Sequence, residues 1–264
     1  DESASDESAS EFVDVGGRLL HYLKQGDGGR PTVLIHGFTG SLNDWLFNHA
    51  VLAKQRAVYA LNLPGHGQSS KDVGDGSLDV FIDTLVDWLD ALGLSQVHLV
   101  GHSLGGAVAL GTALRNPDRV RSCTLIASAG LGPEIDADFI TGVVGANRRK
   151  QLKPYLQSLF ADPSRVTRQL IDDLLRFKRV DDVQDALRRI AQNLVTDGKQ
   201  VALFRNELES LQTPIQVIWG EKDQIIPSSH CTDLPDSVSI DLLADCGHMV
   251  HMEAAREVNQ LVLS

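Results

Sequence analysis

The hydrophobic positions of this chain form short runs that alternate with helical patterns. Near the N-terminus, "EFVDVGGRLLHYLKQG" alternates around Gly16 and Gly17, which is the pattern of a two-residue β-hairpin. Apolar runs follow, separated by amphipathic stretches, at residues 32–37, 57–67, 97–103, 120–130, 214–223 and 237–248. Runs of this kind are typical of parallel strands covered on both faces. The pattern predicts an α/β fold with an eight-stranded, mostly parallel sheet and an N-terminal antiparallel hairpin.

One long interval lacks the strand pattern. Between Leu131 and about Gln212, the chain shows amphipathic helical stretches such as "RVTRQLIDDLLRFKRV". We expect residues 132–210 to form an inserted helical cap over the ends of the strands, and residues 11–131 and 211–264 to form the core.

The predicted cap carries a cluster of cationic residues. Arg148, Arg149, Lys150 and Lys153 lie close together in the sequence. They fit a solvated helix face, and they also fit contact with an anionic substrate, so both interpretations stay open.

The composition of the chain argues against nucleic acids and membranes as partners. The net charge of −11 argues against a nucleic-acid surface, since phosphate binding requires clustered Lys and Arg. No apolar run approaches the roughly 18 residues that cross a bilayer, so we expect no membrane contact. Three cysteines without paired spacing and an N-terminus without a signal peptide predict a cytoplasmic protein. Residues 1–10, "DESASDESAS", are expected to be a flexible acidic linker or a remnant of an expression vector.

The candidate chemistry lies where the predicted strands end, because ligands bind outside the carboxyl ends of parallel strands. Ser103 stands in "GHSLG", a G-x-S-x-G sequence. It is either a nucleophile on a strained turn or an incidental serine in a tight turn. Its position after an apolar strand and before a helix favours the nucleophile.

A serine hydroxyl needs a base to take its proton. His248 follows the last predicted strand, and it comes last in the order nucleophile, acid, base. Three other histidines near strand ends are expected to have structural roles, with His36 and His66 bonded to backbone and His102 packed.

The base in turn needs a carboxylate that orients it. Asp223, on the loop after the preceding strand, is the preferred candidate, with Asp245 and Glu221 as alternatives. Asp245 lies three residues before His248, where it fits better as a cap of the backbone.

Acyl chemistry also requires donors for a developing oxyanion. The expected donors are the backbone N–H groups of Leu104, after the serine, and of Phe38, in the loop after the first crossover strand. Gly37, His102 and Met249 are further candidates for contact with the substrate.

His248 also belongs to a possible metal-ligand group. His251 and Glu253 lie nearby in the sequence. A third histidine and the helical H-E-x-x-H spacing are missing, so we expect no metal site.

The motifs H-G-F, P-G-H-G-x-S, G-H-S-L-G-G, W-G-x-x-D and C-G-H occur in an order that resembles the α/β-hydrolase superfamily across residues 11–264. The stretches "LPGHGQSSK", "AGLGPEI" and "GHMVHMEAAREVN" more closely resemble the hydrolase-like C-terminal domain of the acetyltransferase component of bacterial acetoin dehydrogenase complexes. This resemblance implies an α/β-hydrolase fold and acetyl transfer from dihydrolipoamide to coenzyme A. It also implies a lipoyl domain and the other acetoin dehydrogenase components as partners, with no cofactor bound covalently in this chain.

Alternatives to this activity remain. Acyltransferase components of other such complexes carry an H-x-x-x-D-G motif on a different fold, and no histidine here is followed by Asp at the fourth position. Any transfer must therefore use Ser103. With water as acceptor, the chain would be a carboxylesterase, a thioesterase or a carbon–carbon bond hydrolase. The latter group typically carries Asn-Ser-Met-Gly-Gly where this chain has His102 and Leu104. A scaffold without turnover is the third class.

Overall fold

The fold is known from a computed structural model, which describes residues 9–264. Its strands are β1 (Ala9–Val15), β2 (Arg18–Gln25), β3 (Thr32–Ile35), β4 (Val58–Leu61), β5 (Val97–His102), β6 (Val120–Ile126), β7 (Val195–Thr196), β8 (Lys199–Gln200), β9 (Ile215–Gly220) and β10 (Ser239–Leu243). Its α-helices are α1 (His49–Leu52), α2 (Leu78–Ala91), α3 (Leu104–Arg115), α4 (Ala137–Gly145), α5 (Arg149–Gln157), α6 (Arg168–Lys178), α7 (Val183–Leu194), α8 (Val250–Glu253) and α9 (Ala255–Leu263). Short 3-10 helices cover Leu42–Trp45, Pro117–Arg119, Pro163–Arg165, Arg205–Ser210 and Ser228–Cys231.

The large sheet has the strand order β1-β2-β4-β3-β5-β6-β9-β10. Strand β2 pairs antiparallel with β1 and with β4, and the remaining neighbours pair parallel. Gly16 and Gly17 connect β1 to β2 with φ angles of 59° and 88°, the left-handed pair that a type I′ turn requires. The prediction of eight mostly parallel strands with an N-terminal hairpin is confirmed.

Helices cover both faces of the sheet. Helices α2 and α3 pack together on one face, and α1, α8 and α9 lie on the other. Every residue of β3 and β4 is buried as a result. The carboxyl ends of β3, β5, β6 and β9 meet at one edge of the sheet, which is where parallel strands place their ligand-binding loops.

Four helices, α4 to α7, fill most of the segment between β6 and β9. Helix α4 packs against α5 and α7, and α6 packs against the same two helices. Two of the four helices begin at side-chain caps, because Asp136 accepts from the Phe139 amide and Thr167 from the Leu170 amide. The limits 132–210 for a separate cap stay a prediction.

Three expectations about the elements need correction. Strand β1 already begins at Ala9 and Ser10 pairs with Leu23, so the last two residues of the expected linker belong to the hairpin. Residues 1–8 lie outside the described part of the chain. The interval expected to lack strands contains the small hairpin β7–β8, which pairs antiparallel. Strand β10 is an edge strand, and Ile240 and Leu242 are exposed on it rather than covered.

The cationic cluster lies on the outer surface of the inserted helices. Arg148, Arg149, Lys150 and Lys153 are all exposed. Arg149 makes two hydrogen bonds to the carboxylate of Asp172, at 2.6 and 3.1 Å. This arrangement favours the solvated helix face.

Within residues 9–264, no helix is both long enough and apolar enough to cross a membrane.

Candidate active site

Ser103 stands on the sharp turn between β5 and α3. Its φ and ψ are 54° and −116°, a strained conformation for a residue with a Cβ. The turn is held because Ser103 donates its amide to the Ile126 carbonyl at 3.0 Å, and its own carbonyl accepts from Ala129 at 3.0 Å. A Cβ at Gly105 would overlap the Ile35 carbonyl, so only glycine lets helix and sheet approach this closely. The geometry is that of a nucleophile elbow.

Two backbone amides beside Ser103 are available to an incoming group. Leu104 is the first residue of α3, and Phe38 lies in the loop after β3. In the part of the chain that the structure describes, neither amide donates to a protein acceptor. Gly37 lets the Phe38 loop lie close to Ser103, since a Cβ at Gly37 would stand 3.1 Å from the Ser103 Cβ.

Two buried histidines hold the Phe38 loop by its backbone. His36 Nδ1 donates to the Gly37 carbonyl at 2.7 Å, and its Nε2 accepts from the Leu63 amide at 3.0 Å. His66 Nδ1 donates to the Pro64 carbonyl, and its Nε2 accepts from the Thr39 amide at 3.0 Å. Burial lowers the pKa of His36 to about 4 and that of His66 well below its ordinary value. Both rings are therefore neutral, and their role is to hold backbone, as expected.

Asp223 and His248 are brought together from the loops after β9 and β10. His248 Nδ1 donates to Asp223 Oδ2 at 2.8 Å, and the two side chains are 4% and 0% exposed. Trp219 Nε1 donates to the same oxygen at 3.1 Å. The amides of Ile225 and Ile226 donate to Oδ1 at 2.8 and 3.0 Å. Four donors thus fix the carboxylate, and the carboxylate leaves His248 Nε2 as the basic nitrogen.

The alternative carboxylates lie elsewhere. Asp245 is exposed and pairs with Lys222 Nζ at 3.0 Å. Glu221 is also exposed. Of the three candidates, Asp223 contacts His248.

The backbone around His248 is anchored to the segment after α5. His248 and Met249 both donate their amides to the Leu159 carbonyl, at 3.0 and 3.2 Å. The Glu253 carboxylate accepts from the amides of Gly247 and Ala161, each at 3.1 Å. Burial raises the pKa of Glu253. The sequence pointed to Glu253 only as a possible metal ligand, and its contact with residue 161 had no sequence signal.

His102 is packed beneath the same loop. Its Nε2 donates to the His248 carbonyl at 2.9 Å, and its ring lies 4.5 Å from that of His251. Burial lowers the pKa of His102 well below its ordinary value and that of His251 to about 3. Among residues 9–264, no group of three or more His, Cys, Asp or Glu side chains is arranged to hold a metal ion.

Ser103, His248 and both amide-bearing residues line one cavity of about 430 Å³. All three further candidates for substrate contact, Gly37, His102 and Met249, also line it. Much of its wall is apolar and comes from the inserted helices, through Phe139, Ile140, Leu156, Leu170, Leu174 and Phe177. The cavity therefore offers a serine hydroxyl, a histidine and two free amides to an enclosed, largely apolar ligand.

Comparison with known proteins identifies the family. A model of the alpha/beta hydrolase fold family matches residues 31–255. The chain belongs to this family.

Two curated relatives match this alpha/beta hydrolase over nearly its whole length. One, from Pseudomonas putida, is 48% identical over 97% of this chain and 69% of its own length. The other, from Cupriavidus necator, is 40% identical over 97% of this chain and 68% of its own length. Both are named dihydrolipoyllysine-residue acetyltransferase component of acetoin cleaving system. The resemblance inferred from the sequence motifs is confirmed.

Hydrolases of the same family are similar over nearly the whole chain. A 2-hydroxy-6-oxononadienedioate/2-hydroxy-6-oxononatrienedioate hydrolase from Burkholderia vietnamiensis is 29% identical over 98% of this chain and 96% of its own. The solved meta-cleavage product hydrolase from Pseudomonas fluorescens IP01 has a TM-score of 0.86 at 25% identity, and covers 96% of this chain and 95% of its own. The relatives of this alpha/beta hydrolase are enzymes.

Proposed function

We propose that this protein transfers acyl groups through a covalent intermediate on Ser103. The observation that carries the proposal is the 2.8 Å bond from His248, which lines the same cavity as Ser103, to the buried Asp223 behind it. A serine on a strained turn, a histidine held in one tautomer and two unpaired amides are the parts that acyl transfer requires.

In the proposed reaction, Ser103 Oγ attacks the carbonyl carbon of a thioester or ester while its proton passes to His248 Nε2. The amides of Phe38 and Leu104 stabilise the oxyanion. When the tetrahedral intermediate collapses, the bond to the thiol or alcohol breaks, and that leaving group takes the proton from His248. An acceptor then attacks the acyl-serine with His248 as base, and Ser103 recovers its proton.

For the donor and the acceptor, we propose the acetyl-dihydrolipoyl group and coenzyme A. Support comes from the two relatives named as acetoin-cleaving acetyltransferase components. The lipoyl group would arrive on an upstream or partner domain, and the other components of the acetoin complex would be partners. Three buried free cysteines agree with a cytoplasmic setting for this reaction.

Hydrolysis is the second candidate. The solved meta-cleavage product hydrolase with a TM-score of 0.86 and the dienedioate hydrolase at 29% identity support it. In that case, water replaces coenzyme A, and the substrate is an ester, a thioester or a carbon–carbon bond beside a carbonyl.

One experiment separates these functions. Purified protein and its Ser103→Ala variant are incubated with S-acetyl-dihydrolipoamide, with and without coenzyme A, and acetyl-coenzyme A and acetate are quantified. We expect Ser103-dependent acetyl-coenzyme A and, without acceptor, a mass increase of one acetyl group on Ser103. Ser103-dependent acetate at the same rate with and without coenzyme A would establish a hydrolase. Equal product in wild type and variant would refute Ser103 catalysis and leave a scaffold.

A further inference from the structure

The charges that line the Ser103 cavity are all of one sign. Within residues 9–264, the side chains that line the cavity include two carboxylates, Asp44 and Asp173, and no lysine or arginine. The other walls are apolar or carry neutral polar groups. An anion that enters such a cavity loses its hydration without gaining a cationic partner.

Asp44 lines the same cavity as Ser103 and His248. It is part of the 3-10 helix Leu42–Trp45, and its Oδ2 accepts from the Ser41 amide at 3.4 Å. A Cβ at Gly40 would overlap the same oxygen, so the carboxylate lies against the loop that carries the Phe38 amide. Among residues 9–264, no lysine, arginine or histidine stands within 4.0 Å of it. Burial raises the pKa of Asp44 to about 7. When Asp44 is ionised, no cation among residues 9–264 lies within 4.0 Å to balance its charge.

Asp173 is half exposed on α6, and its charge is shared. It accepts from Gln169 Nε2 at 2.7 Å and from Arg176 Nη1 at 3.2 Å. Screening by solvent and pairing with Arg176 weaken its field. Asp44 is therefore the carboxylate that an incoming anion meets without a neighbouring cation.

Two histidines of the cavity wall, His21 and His102, have lowered pKa values and are neutral at pH 8. His21 bonds to Ser10 Oγ and to the Asn62 side chain, and burial lowers its pKa. His102 is neutral because burial lowers its pKa well below the ordinary value.

Lys71, whose ammonium group lies at the cavity-lining Gly67, donates to the carbonyls of Gly67 and Ser69. Two cations of the inserted helices are also engaged, since Arg149 pairs with Asp172 and Lys178 donates to the carbonyls of α4 and its C-terminal end.

We propose that the cavity accepts acyl groups that are uncharged and excludes those that carry a carboxylate, with Asp44 as the specificity-determining residue. This inference rests on the proposed acyl chemistry of Ser103. It assigns neutral thioesters and esters as the substrate class, and it disfavours hydrolysis of carboxylate-bearing compounds. A donor or acceptor that carries phosphates keeps them outside the cavity, and only its neutral arm reaches Ser103.

The test uses two esters of the same shape and different charge. The p-nitrophenyl esters of glutaric acid and of glutaramic acid end in a carboxylate and in a neutral amide. Release of p-nitrophenolate at about pH 8, where Asp44 is mostly ionised, gives kcat/KM for each ester. The Ser103→Ala variant supplies the background, which includes attack by the glutarate carboxylate on its own ester.

We expect wild type to prefer the amide ester by about 100-fold in kcat/KM, because the carboxylate is desolvated without a partner. Asp44→Asn should reduce that ratio by about 10-fold, since it removes one like charge and keeps an acceptor for the Ser41 amide. Asp172→Asn is the matched control. It also replaces one carboxylate by an amide, but Asp172 lies on α6 and does not line the cavity. This variant should leave the ratio of the two kcat/KM values unchanged.

Each other outcome overturns part of this account. Equal kcat/KM for the two esters in wild type would refute charge selection while Ser103 catalysis stands. A large ratio that Asp44→Asn leaves intact, or that Asp172→Asn lowers equally, would refute the assignment to Asp44. Hydrolysis of neither ester above the Ser103→Ala background would overturn the proposed function, and this inference with it.

Discussion

Replacing Asp223 by asparagine tests the proposed chemistry at its most constrained point. The two amides of Ile225 and Ile226 donate to Oδ1 and will keep the amide oxygen of the asparagine on their side. The asparagine NH2 then takes the place of Oδ2, opposite His248 Nδ1 and Trp219 Nε1. It donates where the carboxylate accepted. His248 is driven to the tautomer that carries its proton on Nε2, and in that tautomer it cannot accept the proton of Ser103.

The expected loss of kcat is large and the expected loss of stability is moderate. A wrong tautomer of the catalytic histidine lowers kcat by about 10⁴-fold, which corresponds to about 5 kcal/mol of activation free energy. The indole N–H of Trp219 loses Asp223 as an acceptor but keeps the Ile226 carbonyl at 3.0 Å, so the variant loses about 1 kcal/mol of unfolding free energy. The protein should therefore stay folded while turnover collapses.

The assay measures kcat for acetyl transfer or for p-nitrophenyl acetate hydrolysis, together with the urea midpoint of unfolding. Nitrogen-15 chemical shifts of His248 report the tautomer directly. Asp245→Asn is the matched control, because Asp245 is an exposed acid shortly before His248 and pairs with Lys222. We expect it to change kcat by less than about 2-fold. If Asp223→Asn kept kcat within about 10-fold of wild type while folded, or if Asp245→Asn lost as much, the role given to Asp223 would be refuted.

Two further predictions follow from the surroundings of the site. Glu253→Ala removes the acceptor shared by the Gly247 and Ala161 amides, so the His248 loop should loosen and kcat should fall by about 10-fold. The control is Glu257→Ala, which removes an exposed acid on α9 and should leave kcat unchanged in the same assay. Equal losses of kcat in the two variants would contradict the anchoring role of Glu253. Stability should fall as the pH drops from about 6.5 towards 4, because burial lowers the pKa of His36 to about 4 and that of His251 to about 3, and the unfolded chain therefore binds their protons first. Burial raises the pKa of Asp44 to about 7, which acts in the opposite direction but offsets only about one of these two histidines. His36 alone should remove about 2 kcal/mol of unfolding free energy by pH 5. Urea midpoints at pH 7 and pH 5 measure the change, and identical midpoints would contradict it.

The sheet and the turn at Ser103 could be predicted from the sequence, because both depend on local patterns. Alternating and apolar runs report which strand faces are buried, and Gly16-Gly17 specifies the hairpin turn. The glycines around Ser103 mark where helix and sheet come too close for a Cβ. The rule that ligands lie at the carboxyl ends of strands then placed Asp223 and His248 near each other.

The sequence did not predict features that depend on the position of an element within the fold. The apolar residues of β10 predicted a covered strand, yet β10 is the last strand of the sheet, and Ile240 and Leu242 have no neighbour on one side. The pairing within β7–β8 spans only two residues in each strand, which is too short for a periodic pattern.

The sequence alone predicts the fold family, the elbow at Ser103 and the order of the candidate residues, because each depends on contiguous stretches of the chain. Tertiary structure decided that Asp223 rather than Asp245 contacts His248, and that Glu253 links the His248 loop to Ala161. It also decided that Asp44 faces the cavity without a cation. The first two contacts join residues that lie 25 and 92 positions apart in the sequence. The environment of Asp44 depends on which side chains the fold brings near it. Such contacts follow from how the inserted helices pack onto the sheet, which no local pattern encodes.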